Sequence, residues 1–249
     1  MSLVLFWLFF AAYLPMAKAS VIYQRFGKTN ISDTHADGFF CGNITFPVAF
    51  QGKGKLRVFP STSFEGTALN GSEASVVIVD EINDDFFSVC VMEPAQTTRL
   101  MTINWFAFSD RDLPTGSQTG TKPFGDFTSG SSCTNITFPQ QFSREPRLLI
   151  SVRHEGRTRR KDAMTFWLEN VTSRGFNICL REMISFSGKH KYLYIDWLAM
   201  EHKFSGNMTD VDSVFFPNDI QPLAENDYAY CQFKNFSQRY FLPPNILVS

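Results

Sequence analysis

Apolar and polar positions alternate with period two in several short stretches of this chain, the spacing of a strand that buries one face. In Leu193-Tyr194-Ile195-Asp196-Trp197-Leu198-Ala199, the residues Leu193, Ile195, Trp197 and Ala199 share one face, and Tyr194 and Asp196 lie on the other. Met101, Ile103, Trp105 and Ala107 repeat the pattern. Residues 164–169 and 176–180 also alternate, and the turn-rich segment 170–175 between them predicts a hairpin. No stretch carries a sustained helical period. Five or six short antiparallel strands of this kind, each with one apolar face, can bury those faces only by packing sheet on sheet. The fold class expected is all-β, built from compact antiparallel β-sandwiches.

The pattern occurs twice. Cys41-Gly42-Asn43-Ile44-Thr45-Phe46-Pro47 returns as Cys133-Thr134-Asn135-Ile136-Thr137-Phe138-Pro139, and Ile103-Asn104-Trp105 returns as Ile195-Asp196-Trp197. Both ends of the unit shift by the same 92 positions. Phe87-x-x-Cys90 likewise matches Phe176-x-x-Cys179. Self-similarity at a fixed period implies tandem units, here residues 41–108 and 133–201. A third copy begins at 231–249, where Cys231, Asn235 and the segment 244–249 line up with the start of the second unit, so the chain reads as a repeat array whose third copy is truncated. Segments 20–40, 109–132 and 202–230, rich in Gly, Ser, Thr, Asp and Pro, read as a lead-in and two linkers. The repeat also sorts the cysteines: Cys41 with Cys90, Cys133 with Cys179, and Cys231 left over. Each loop of about fifty residues would add on the order of 4 kcal/mol in the chain-entropy picture.

Composition places the protein in a compartment. Residues 3–14 are an unbroken apolar run of h-region length, followed by Ala17-Lys18-Ala19, which reads as a signal peptide over 1–19 with cleavage before Ser20. No later stretch is apolar for long enough to span a bilayer. Asn-x-Ser/Thr sequons occur at Asn30, Asn43, Asn70, Asn135, Asn170, Asn207 and Asn235, and paired cysteines suit an oxidising compartment. A secreted, glycosylated protein is expected. Lys plus Arg is 23 against Asp plus Glu at 24, so no global charge favours nucleic acid.

The motifs Phe138-Pro139-x-x-Phe142, Asn170-Val171-Thr172-x-x-Gly175-Phe176 and Ile195-Asp196-Trp197-Leu198-Ala199 resemble the H-type lectin family, of snail agglutinin and the discoidin C-terminal domain. The resemblance covers 133–201 well and 41–108 more weakly. It implies a six-stranded antiparallel sandwich, an assembly that is often trimeric, and metal-free binding of galactose or N-acetylgalactosamine-type sugars. Carried across, the family's acidic position can be supplied by Asp126, its Arg position falls on Ala163 with Arg160 and Lys161 nearby, and its His and aromatic positions fall near Phe186 and Lys191 with His190 and Tyr192 displaced from them. Asp126, Arg160, Lys161, His190 and Tyr192 are thus the carbohydrate-contacting candidates. A sugar site needs fixed polar groups on strand-end loops and an aromatic face, which this set can supply. The plain alternative makes His190 an exposed loop residue and Tyr192 an ordinary strand aromatic.

Other constellations carry less. Asp80, Glu81, Asp84 and Asp85 read first as a hairpin turn and second as a weak Ca²⁺ site, and Gly52-Lys53-Gly54-Lys55 reads as a turn. His35, His154, His190 and His202 have no ligand spacing, and no nucleophile elbow or recurring carboxylate pair supports an enzyme, so neither metal nor cofactor is expected. The basic run Arg153 to Lys161 reads as a solvated loop tip, as a patch for sulfated glycans, or as a proprotein cleavage site at Arg157, Arg159 and Arg160. Cleavage after Arg160 would fall inside the Cys133–Cys179 loop. Gels of the secreted protein should then show two bands only after reduction, and a single reduced band excludes cleavage. The function expected is a carbohydrate-binding or cell-adhesion protein, the alternative being a structural protein–protein interaction module that has lost its sugar site.

Overall fold

The computed structural model describes residues 24–31, 38–51, 54–64, 75–93, 101–113, 115–154, 164–182 and 189–201, together with 235, 236 and 246. The signal-peptide segment 1–19 and nearly all of the third copy, Cys231 included, lie outside them. The molecule is all-β. Among the described residues the strands are β1 Gln24–Ile31, β2 Phe39–Thr45, β3 Leu56–Phe64, β4 Val76–Ile82, β5 Phe86–Met92, β6 Met101–Ser109, β7 Ser117–Pro123, β8 Ser131–Thr137, β9 Arg147–His154, β10 Met164–Glu169, β11 Gly175–Glu182 and β12 Leu193–Met200, with a 3₁₀ turn at Asp110–Asp112.

Each repeat contributes six strands. In the first, the sheet β1-β6-β3 packs on β2-β5-β4; in the second, β7-β12-β9 packs on β8-β11-β10. The faces meet as alternation predicts. Ile44, Val58, Val79, Phe87, Val89, Ile103 and Trp105 form the first core, and Ile136, Ile150, Phe176, Ile178, Ile195 and Trp197 form the second. Trp105 and Trp197 occupy matching places, each in contact with the Phe of a Phe-Pro pair: Phe46 and Trp105 have ring centroids 5.5 Å apart, as do Phe138 and Trp197. The disulfides are Cys41–Cys90 and Cys133–Cys179. Each joins directly opposed residues on paired strands, β2 with β5 and β8 with β11, so the bridges staple within a sheet rather than between sheets.

Two features depart from the sequence reading. The lead-in 20–40 and the linker 109–132 hold β1 and β7, the outer strands beside the tryptophan strands. Their polar composition hid them, but each has a glycine facing its tryptophan. Gly27 lies opposite Trp105 and Gly120 opposite Trp197, and a Cβ at either glycine would overlap the indole. The second departure is the junction of the units. Strand β4 runs parallel to β9, Val79 beside Arg153, so β2-β5-β4-β9-β12-β7 is one continuous six-stranded sheet.

That junction buries the second faces of the tryptophan strands. All nine residues of β6 are buried, where alternation left one face polar and outward. Phe59, Phe106 and Phe108 of the first unit form an apolar cluster with Leu198 and Met200 of the second, and Leu149 packs against it. Ile78 and Met92 likewise join the second unit's core from the first unit's outer face.

Filling the space under an indole should be costly where open space elsewhere is not. Gly120→Val is expected to destabilise by about 1–3 kcal/mol through overpacking. Gly125→Ala, with no heavy atom within 4 Å of the added methyl, should stay within about 0.5 kcal/mol of wild type. Urea denaturation of the two variants checks the contrast.

Candidate functional site

The antiparallel pairing of β7 with β12 continues past the strand ends. Tyr194 pairs with Pro123, the Phe124 amide donates to the Leu193 carbonyl at 2.8 Å, and Phe127 and His190 exchange backbone hydrogen bonds of 2.9 and 3.2 Å. In that register Gly125 lies opposite Tyr192, and Asp126 opposite Lys191. The structure therefore brings Asp126 onto the same strand-end rim as His190 and Tyr192, although the two segments are far apart in sequence.

Those residues divide the work differently from the sequence reading. His190 is fully buried rather than an exposed loop residue. Its ring stacks on Phe127 with centroids 4.3 Å apart, and its Nε2 lies 3.8 Å from Glu182 Oε1. It props the rim from within. Tyr192 is 55% exposed and holds a positive φ of 58°. A non-glycine residue in that region is uncommon, and here it presents an aromatic ring to solvent. Asp126 is exposed on the same rim, and Gly125 opposite Tyr192 leaves open space. Arg160 and Lys161, and with them Arg157 and Arg159, lie outside the described residues. Among the sequons, Asn30, Asn43, Asn135, Asn170 and Asn235 are exposed, and Asn70 and Asn207 lie outside the described residues. Asn43 and Asn135 flank the inward Ile44 and Ile136, as strand alternation requires.

A second polar site fills the junction between the units. Asp196, 1% exposed, accepts from Arg153 Nε at 2.7 Å and from the Thr121 hydroxyl. Thr121 in turn accepts from Lys55 Nζ at 2.7 Å. From the first unit, Arg57 brings its Nε to 3.9 Å from Asp196 Oδ1, while its Nη1 donates to Asp110 Oδ2 at 3.4 Å. Asp110 also accepts from the Lys55 amide at 2.9 Å, and the Arg153 guanidinium lies 4.7 Å over the Tyr194 ring. Three cations thus surround two carboxylates. Burial pushes the Lys55 ammonium below its usual pKa; Asp196 and Asp110 oppose that shift, and Arg153 and Arg57 add to it.

A cavity of about 390 Å³ opens beside this network, lined by Lys55, Asp80, Glu81, Asp84, Arg153 and His154 among others. Three segments that read separately as a glycine-lysine turn, an acidic hairpin and the head of a basic run thus share one wall system. Sequence reasoning missed Arg57, Asp110 and Thr121 altogether. The one available signal was Asp196, a charge between apolar neighbours where the first unit has Asn104, which accepts no such partner and instead donates to Ser63 Oγ at 2.9 Å. Among the described residues, no three His, Cys, Asp or Glu side chains gather as a metal ligand set, and no helix is long and apolar enough to cross a membrane.

A scan against protein-family models and searches of curated proteins and of solved structures find no match to this chain.

Removing the central carboxylate tests the network. Asp196→Ala leaves the half-buried Arg153 without its anion and the buried Arg57 with Asp110 alone, and should cost about 3 kcal/mol. The equivalent Asn104→Ala removes only a neutral hydrogen bond and should cost about 1 kcal/mol. Thermal and urea unfolding of both variants would measure the difference.

Proposed function

We propose that the protein is a secreted, glycosylated carbohydrate-binding or adhesion protein, with its sugar site on the rim formed by Gly125, Asp126, Lys191 and Tyr192. The observation that carries this reading is the exposed Tyr192 ring opposite a side-chainless Gly125. A pyranose has one apolar face that stacks on an aromatic and a hydroxylated edge that needs charged or planar polar groups, and Asp126 and Lys191 lie on the same rim as Tyr192. Two disulfides fit an oxidising extracellular setting. The resemblance to H-type lectins supports galactose-type or sulfated glycans as the ligand class and a trimeric homo-oligomer as the assembly. Tandem units would add avidity to individually weak contacts.

A second reading, a protein–protein association module without a sugar site, is favoured by Phe26. It is 48% exposed on β1 and stacks on the buried Phe106 with centroids 4.6 Å apart, an aromatic face open at the surface of the first unit.

A glycan array probed with the secreted protein, with and without chelator, separates the two. Binding that survives chelator and falls about tenfold in Tyr192→Ala, the scale of one lost aromatic stack, supports the sugar site. Silence across all glycans favours the association module.

A further inference from the structure

We propose that the cavity between the two units binds a small zwitterion, its carboxylate against Lys55 and Arg153 and its ammonium against the carboxylates of the β4–β5 hairpin. The cavity belongs to neither repeat alone. Lys55, Asp80, Glu81 and Asp84 come from the first unit, and Arg153 and His154 from the second. At about 390 Å³ it lies in the roughly 300–1,000 Å³ range of small-molecule sites.

Its two cations are held from behind. Thr121 takes one of the three Lys55 ammonium protons at 2.7 Å, and Asp196 takes the Arg153 Nε–H at 2.7 Å. Both heads are thereby fixed in position, with further donors on each group for a ligand. The cations also outnumber the two carboxylates of the network behind them. Burial is the first cause of the lowered Lys55 pKa, which Asp196 and Asp110 oppose and Arg153 and Arg57 reinforce. An anion beside Lys55 would favour its charged form.

The β4–β5 hairpin lines the same cavity with charge of the other sign. Strand β4 shifts register against β5 between Val79 and Glu81, a β-bulge at Asp80, and bulges re-aim side chains at such junctions. Asp80 is buried at the cavity, and the exposed Asp84 carries a carboxylate that no described residue bonds. A simple anion entering the cavity meets Asp80, Glu81 and Asp84. A simple cation meets Lys55 and Arg153. A ligand with both charges can meet a counter-charge for each, which is how opposed charges give discrimination.

Isothermal titration of the intact secreted chain with glycine, 4-aminobutyrate and 6-aminohexanoate, and with butyrate and butylamine as single-charge controls, tests this. At least one zwitterion should bind saturably, and both controls at least tenfold more weakly. Asp84→Asn, a surface change, should weaken the zwitterion at least fivefold without moving the melting midpoint. Lys55→Met should do the same by removing a cation, and if that variant does not fold, Asp84→Asn decides alone. Butyrate binding as well as the best zwitterion would make the cavity a plain anion site, and butylamine doing so a plain cation site. Either result, or no saturable binding by any zwitterion, overturns the proposal.

Discussion

The constraint on which the architecture depends is that β6 and β12 are buried on both faces. A strand enclosed on one side by its own sandwich needs only alternation; one enclosed on both must also find partners for every polar side chain it carries. In β6, Thr102 donates to Asn30 on β1 at 3.1 Å and Asn104 donates to Ser63 on β3 at 2.9 Å, so these two side chains are served from within the first unit. In β12 the residue matching Asn104 is Asp196, a charge, which Arg153 of its own unit pairs at 2.7 Å. Arg57 approaches it as well, at 3.9 Å from the neighbouring repeat. The two sandwiches are therefore tied through an ion cluster as well as through the Phe59, Phe106, Phe108 and Leu198 cluster.

That division of labour has an energetic logic. Apolar packing between the units is non-directional and favours contact without fixing register. A buried carboxylate flanked by two guanidinium groups stabilises little in net terms, because desolvation offsets most of the attraction, but a misregistered junction would leave its charges unpaired. The polar cluster thus selects one arrangement among those the apolar surfaces permit. The same arrangement brings Lys55, Arg153 and the bulged β4 hairpin to one inter-unit cavity.

The candidate rim shows how a partly legible site is completed by the fold. Asp126, His190 and Tyr192 could be nominated by position, and the pairing of Phe127 with His190 does place their segments together. Their roles could not be read. Whether an aromatic or imidazole on a short loop faces inward depends on backbone angles that neighbouring pairs impose. Here a stack on Phe127 draws His190 inside, and a left-handed turn at Tyr192 sends the next ring outward. The junction was less legible still, since Arg57, Asp110 and Thr121 sit in no motif and acquire meaning only beside Asp196.

Local chemistry in the chain determined the strands with clean alternation, the duplication, the pairing of Cys41 with Cys90 and Cys133 with Cys179, and the inward set around Trp105 and Trp197. Each follows from a period or a recurrence, which is a property of order along the chain. Only the tertiary structure decided that polar stretches around Gly27 and Gly120 are strands, that the two repeats share one sheet, and that a buried carboxylate and an open cavity lie between them. Those outcomes depend on which surfaces meet, and residues distant in sequence carry no sign of one another until packing removes the water between them.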